Sequence, residues 1–490
     1  MMRLREGRTI VSQSTGFAGD VLHVDETSLA YFFGNKVGSM RYESLSPKAI
    51  EWAKMGILDT IGVTLAGSHE PCATLIADAL SLEDSKGKAP RHDQATVWGR
   101  NIQCSEFDAA FINGTAAHAL DFDDCNNTMG GHPSAPILPA LFAIAERAPI
   151  FAQDLITAYI AGFEVETKLA MAVNFHHYTK GWHPTATLGV FGAAAACAKL
   201  LGLNSDQTAT ALALAASSAA GLKANFGTMT KPMHVGRSAK EGLMSARLAQ
   251  KGFSANAQSV FEHQQGFFEV FNGATHYDRQ RALDHWARPW DIEEPGIAIK
   301  QYPCCGSTHP AIDAAIQIKL DHQYEASQIK AVRVWIHQRR LQHTNRPEPK
   351  SELDAKFSLQ YVVLRALIDG RVGIHHFEQQ SYCEPRILNL LPKIEAAAYD
   401  ARMFDDANHF AARVELTLTD GRVLESQVLQ PHGRTSANPL STFQLKEKFE
   451  LCAQRVLTAQ GVQLAYEWIE QIEHQSDAGS LGKIFWNHLK

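Results

Sequence analysis

The chain has 490 residues, 45% of them hydrophobic and 20% charged, with a formal net charge of −6. That length calls for two or three domains with sizeable cores, and that composition excludes a disordered chain. An acidic balance with no long Lys/Arg block argues against a nucleic-acid partner.

Met1 to Asp20 is polar and carries no apolar stretch of the signal-peptide kind, and residues 1–27 read as a loose tail. Ser46-Pro47 then forms an N-cap followed by a proline at the first helical position. Ile50, Ala53, Ile57, Ile61 and Leu65 follow at helical spacing, and Gly67 closes the helix. Further helices are expected at Ser105–Leu120, Pro136–Ala148, Asp154–Ala172, Ala186–Leu201, Ser205–Ala220 and Ala239–Lys251. Alanine and glycine crowd residues 186–220, so close helix–helix contact is expected there. The apolar run Leu188–Leu203 is broken by Lys199 and too short to span a bilayer, so no membrane partner is expected.

The pattern changes near Pro295. Val332, Val334 and Ile336 alternate with Arg333 and Trp335, and Val414, Leu416 and Leu418 alternate likewise. Asp420-Gly421 reads as a hairpin turn into Arg422–Val428. Helices at Pro310–Asp321 and around Leu359–Ile368 lie between these strands, and Thr442–Leu489 is helical again. The expected fold is mainly α: a large all-helical domain over 28–295 and a smaller α+β lid domain over 296–432. Helices over 433–490 would return to the first domain.

The eight cysteines are scattered and form no CxxC pair. A reduced, cytoplasmic setting is the expectation, and zinc-ribbon or thioredoxin-like chemistry is not. The densest chemistry lies between His118 and Pro139, where Asp121, Asp123, Asp124, His118 and His132 crowd an apolar neighbourhood. Ionisable groups beside a core are costly unless partnered. Three readings stay open on residue types alone. An Asp and a His could work as an acid/base pair. Asp121, Asp123 and His132 could hold a hard divalent cation. Asp123 or Asp124 could simply cap the next helix.

Three other segments bring cations or thiols. In Trp182-His183-Pro184, His183 is held extended at a helix entrance. Lys231, His234 and Arg237 recur every three residues, which reads as a cationic strip or a solvated face. Lys300 precedes Tyr302-Pro303-Cys304-Cys305-Gly306 and a helix start. Cys304 could be a nucleophile or a buried thiol. Together, Asp121, His132, His183, Lys231 and Lys300 suit a small polycarboxylate losing a proton beside a carboxylate, with cations offsetting the charge that develops.

These segments are also where the chain resembles the MmgE/PrpD family of 2-methylcitrate dehydratases, cis-aconitate decarboxylases and iminodisuccinate epimerases. The resemblance runs from about Leu45 to the C-terminus. It rests on Gly56-Ile57-Leu58-Asp59-Thr60-Ile61-Gly62, Asn113-Gly114, Leu120-Asp121-Phe122-Asp123-Asp124, His132-Pro133-Ser134, Trp182-His183-Pro184, Thr230-Lys231-Pro232, Tyr302-Pro303-Cys304-Cys305-Gly306 and Lys356-Phe357-Ser358-Leu359-Gln360-Tyr361. It implies a homodimer with the active site between a helical domain and a lid, needing neither metal nor organic cofactor. It implies that Asp121 and His132 are catalytic and that His183, Lys231 and Lys300 line a carboxylate pocket.

The chain departs from the decarboxylase pattern at Cys125, where those enzymes carry threonine, and in a loop to His132 one residue longer. It departs again at His343, where the animal enzymes place a tyrosine before Asn345-Arg346-Pro347. The expectation is therefore β-elimination of water from a 2-methylcitrate-like substrate, His132 moving the proton and Asp121 orienting it. Decarboxylation of cis-aconitate and epimerisation of a dicarboxylate are the alternatives within the family. A non-catalytic anion- or metal-binding protein, or a thiol enzyme using Cys304 or Cys125, are alternatives of another class.

Overall fold

The computed structural model describes residues 28–85, 91, 93–405 and 408–490; the expected tail at 1–27 lies outside them. Ser46 caps the helix Pro47–Gly67 by accepting the Ala49 N–H at 2.9 Å. Ser105 caps Glu106–Ala119 in the same way, and Asn204 with Gln207 forms a capping box on Ser205–Ala216. Each cap satisfies backbone donors that the first helical turn leaves unpaired.

Among the described residues helices dominate, and the strands form two small sheets. Ser134–Ala145 is buried on every face, as its nearly unbroken apolar sequence requires. Around it pack Glu106–Ala119, Ala152–Val173, Gly189–Leu200 and Thr230–Gln250. Small residues let their backbones approach closely. A Cβ on Gly236 would overlap the Phe111 carbonyl and the Thr115 hydroxyl, at the crossing of Thr230–Gln250 with Glu106–Ala119.

That last helix begins nine residues before the expected Ala239. Pro232 and Gly236 read as breakers in sequence. Pro232, however, sits in the first turn, where no donor is lost, and Gly236 is a contact point. Lys231 is thereby placed in the first turn of this helix.

The larger sheet has the order Ile394–Ala398, Ile329–Ile336, Ala412–Leu418, Val423–Val428. The first pair is parallel and the others antiparallel. The Asp420-Gly421 hairpin forms with Gly421 at φ 91°, a backbone region that glycine enters freely. Three of the strands were not expected from the sequence: the parallel strand Ile394–Ala398 and the short hairpin of Ala95–Val97 with Ile102–Cys104.

The apolar side chains collect into two principal cores. One joins residues from Leu29 to Ile299 with the helices Thr442–Ala453, Ala459–Glu470 and Ser480–Asn487; the other runs from Tyr302 to Leu424. No helix among the described residues is long and apolar enough to cross a membrane.

The close crossing has a measurable consequence. Gly236→Ala forces the two helices apart and costs about 1–3 kcal/mol, so the midpoint of thermal unfolding falls by roughly 1–3 °C in calorimetry. An unchanged midpoint would contradict the tight contact.

Candidate functional site

The helix Glu106–Ala119 ends at a turn that contains Asp121 in the left-handed region, at φ 54°. Asp tolerates that region better than most side chains, though not as freely as glycine. Three buried lysines hold the turn by donating to three successive carbonyls. Lys356 Nζ donates to Leu120 O at 2.8 Å, Lys300 Nζ to Asp121 O at 2.7 Å, and Lys448 Nζ to Phe122 O at 2.8 Å. Lys448 also pairs with the buried Asp59.

Beyond the turn, Cys125 and Ala298 exchange backbone hydrogen bonds of 2.8 and 2.7 Å, which brings the segment carrying Lys300 alongside. The loop Asn126–Gly131 closes on itself, with Gly130 at φ 63°. The His132 N–H donates to Thr185 Oγ1 at 3.1 Å.

The carboxylates divide the cations between them. Asp121 Oδ1 pairs with Lys231 Nζ at 2.5 Å and Oδ2 with Lys300 Nζ at 3.2 Å. Burial alone would raise its pKa, but these two ammoniums hold the carboxyl well below its ordinary range. Asp123 lies between two imidazoles, 2.8 Å from His118 Nδ1 and 3.2 Å from His132 Nδ1. Despite burial it too stays well below the ordinary range, because both histidines face it.

Asp124 turns the other way. It accepts the Ser134 hydroxyl and, at 3.4 Å, the Ser134 N–H at the start of the next helix. Burial and Asp59 push its carboxyl well above the ordinary value. Asp124 thus braces the start of Ser134–Ala145, whose N-cap position is Pro133, whereas Asp123 contacts the acid/base candidate directly.

The orienting contact expected between Asp121 and His132 is long, at 4.0 Å. The reason is charge: both Asp121 oxygens are engaged by lysines, and Asp123 takes the imidazole instead. The two histidines on Asp123 separate in basicity. Burial drives His118 down to about 3, while at His132 the Asp123 carboxylate and the Cys125 thiol overcome the burial penalty and raise it to about 10. Cys125 Sγ lies 3.8 Å from His132 Nδ1. Burial would raise this thiol, but His132, Lys300 and Arg434 bring it to about 7.

A cavity of about 860 Å³ opens over this cluster, and Asp121, Cys125, His132, His183, Lys231, Lys300 and His343 all line it. His183 stands at the N-cap position of the short helix Pro184–Thr187 in extended conformation, with Nδ1 3.3 Å from His234 Nδ1. Burial beside other cations holds it well below its ordinary pKa. Lys231 and His234 are buried while Arg237 is exposed, so the three do not form one strip. His343 Nε2 is 3.1 Å from Ser307 Oγ.

The two adjacent thiols differ. Cys304 is fully buried beside Thr308, and burial pushes its thiol up to about 12. Cys305 lines the cavity, where burial is outweighed by His343 and its thiol falls to about 6. Four residues were not singled out from the sequence for the parts they play here: the turn-holding Lys356 and Lys448, and Arg340 and Arg434 in the cavity wall. Lys356 stands inside a quoted motif. Arg434 sits in a polar turn with no pattern to mark it.

His118, Asp121, Asp123 and His132 offer ligand atoms within 4.8 Å of one another. A cation there would have to share Asp121 with two ammoniums and displace both imidazoles from Asp123. The donor set suits internal charge pairing better than coordination.

Family models described as the MmgE/PrpD N-terminal domain and the MmgE/PrpD C-terminal domain match residues 33–280 and 302–472. The chain is similar to cis-aconitate decarboxylase of Homo sapiens, 31% identical over 93% of this chain and 94% of that protein. It is similar to cis-aconitate decarboxylase of Aspergillus terreus, 27% identical over 80% of this chain and 82% of that protein. It is also similar to the mitochondrial 2-methylcitrate dehydratase of Yarrowia lipolytica, 24% identical over 83% of this chain and 81% of that protein.

The thiol geometry predicts selective alkylation. Near neutral pH, iodoacetamide modifies Cys305 well before Cys304, read by peptide mass mapping of the intact protein after brief exposure. Equal labelling of the two would contradict the placement.

Proposed function

Because the chain belongs to the MmgE/PrpD family, we propose that it is a cofactor-independent lyase that decarboxylates a small unsaturated tricarboxylate of the cis-aconitate type. The relatives named as decarboxylases share more identity with this chain than the one named as a dehydratase. That reverses the preference drawn from Cys125 and His343. The observation that carries the choice is the buried Asp123 carboxylate 3.2 Å from His132 Nδ1, which favours the charged imidazole. With its basicity raised to about 10, His132 is an imidazolium at neutral pH, a proton donor rather than a base.

Dehydration would need a base for the substrate's α-proton as well as an acid to protonate the leaving hydroxide. Decarboxylation needs only the acid. In cis-aconitate, the bond from the CH2 arm to its carboxylate breaks, CO2 leaves, and the freed pair becomes a double bond to the central carbon. The pair of the original double bond then takes a proton at the CH carbon. One proton enters, and a methylene-substituted dicarboxylate forms.

His132 would supply that proton from Nε2, with Nδ1–H held by Asp123. Lys231 and Lys300 would face the carboxylate on which negative charge grows, where a fixed cation in a buried site acts strongly. Each ammonium has donors left after its contact with Asp121. His183, neutral in its buried setting, would hydrogen-bond a substrate carboxylate. Cys125 replaces threonine without removing this function, because its thiol lies against His132 and reinforces the imidazolium.

The test is product analysis by NMR in D2O with cis-aconitate and 2-methylcitrate as separate substrates. The expected result is CO2 and a five-carbon methylene dicarboxylate carrying one deuterium on the new CH2. Turnover of 2-methylcitrate alone, with loss of water and retention of every carbon, would overturn the reading in favour of β-elimination.

Two variants probe the proton donor. His132→Asn lowers kcat by about two to four orders of magnitude. In the wild type the rate falls as pH rises through the pKa of His132, since the protonated form is required. Asp123→Asn removes the charge that stabilises the imidazolium, so this alkaline fall moves to lower pH. A profile unmoved by Asp123→Asn would show that another group donates.

A further inference from the structure

The cavity wall supplied by residues 339–346 and 409–434 carries charge that the proton transfer does not use. Arg340 and Arg434 both line the cavity. Each guanidinium carbon lies 4.2 Å from the centre of the same ring, Phe410. Arg340 is steadied by Nε donating to His409 O at 3.3 Å and Nη1 to Ser307 Oγ at 3.4 Å. Arg434 Nε is buried with no hydrogen-bond partner, and the end of the side chain reaches within 3.3 Å of where a Cβ on Gly306 would stand.

Among the described residues, neither arginine forms an ion pair with a carboxylate. Nearby Arg346, by contrast, pairs with Asp354. Two guanidiniums against one ring, with the Cys125 and Cys305 thiols to offset part of their charge, repel each other and lose hydration. Burial and Arg434 together bring Arg340 down to about 10, which reflects that cost. The arrangement is useful when an anion arrives. A guanidinium stacked on an aromatic face is rigid, and its N–H edge remains free for two parallel bonds to a carboxylate.

The remaining charge count points the same way. Asp121 already half-neutralises Lys231 and Lys300, so a trianionic substrate is not balanced at that end of the cavity alone.

We propose that Arg340 and Arg434, stacked on Phe410, form a carboxylate subsite that takes a substrate carboxylate away from the Asp121 turn. This subsite makes the enzyme select tricarboxylates over dicarboxylates. The inference rests on the decarboxylase reading for the identity of the substrate, but it concerns binding and is read without turnover.

The experiment is isothermal titration calorimetry of the full chain in the His132→Asn background, which is wild type at both arginines and slows turnover by about two to four orders of magnitude, with two ligands: cis-aconitate, and methylmaleate, which lacks the third carboxylate. Arg434→Gln and Arg340→Gln each weaken cis-aconitate by about 10- to 100-fold and leave methylmaleate within about twofold. Arg434→Lys, which keeps the charge and loses the fork, falls between wild type and Arg434→Gln for cis-aconitate. Circular dichroism confirms that each variant is folded, and Arg434→Lys serves as the readout if a glutamine variant is not. An equal loss for both ligands, no loss for either, or no binding of cis-aconitate by the wild type would overturn the subsite. Selective weakening in a protein that releases no CO2 would leave the subsite standing and remove the decarboxylase reading.

Discussion

Three ammonium groups on three consecutive carbonyls hold the centre of this molecule. The last carbonyls of any helix lack partners within it, and the usual remedy is a glycine in the left-handed region after the last turn. Here Asp121 occupies that conformation, and Lys356, Lys300 and Lys448 satisfy Leu120, Asp121 and Phe122. An aspartate stands where helices commonly place glycine, and the lysines support the turn that follows. The arrangement also ties distant parts of the chain together. Lys448 comes from the C-terminal helix Thr442–Ala453, Lys356 from the segment before Leu359–Asp369, and Lys300 from the stretch bridged to Cys125. A shift of any of these would be felt at Asp121.

The charges around that turn then sort themselves. Asp121 pairs with both Lys231 and Lys300 and holds them in place. Asp123 can do the same for only one of its two histidines, because the fully buried His118 cannot bear a charge. The proton therefore settles on His132, which faces the cavity and has the Cys125 thiol beside it. A cationic acid, two fixed ammoniums and neutral His183 surround the space where a polycarboxylate would sit. Each is set by its neighbours rather than by its own intrinsic pKa.

Much of this is legible in the sequence because it is local. Ser46-Pro47 announces a helix start that the structure contains, and the crowding of acids and histidines between His118 and His132 marks the cavity floor. The cavity residues inferred from short motifs meet there, including Cys125 and His343, the positions that depart from the decarboxylase pattern. What escaped depends on contacts between segments far apart. The choice of Asp123 over Asp121 as partner of His132 follows from lysines 110 and 179 residues away in sequence from Asp121. Ile394–Ala398 carries three alanines and no alternation, and it is a strand only because Ile329–Ile336 offers its edge. Gly236 looks like a helix breaker until its neighbour Thr115 is seen against it. Arg340 and Arg434 become a pair only through Phe410.

The most direct measurement is the protonation state of His132. With side-chain-labelled histidine, the 15N shifts of this residue can be followed across the pH range and assigned by comparison with His132→Asn. The account predicts an imidazolium that persists past about pH 8 and loses its proton only toward about pH 10. A His132 that titrates near its ordinary value of about 6.5 and is neutral at physiological pH would contradict it, leaving the site with a base where a proton donor is required.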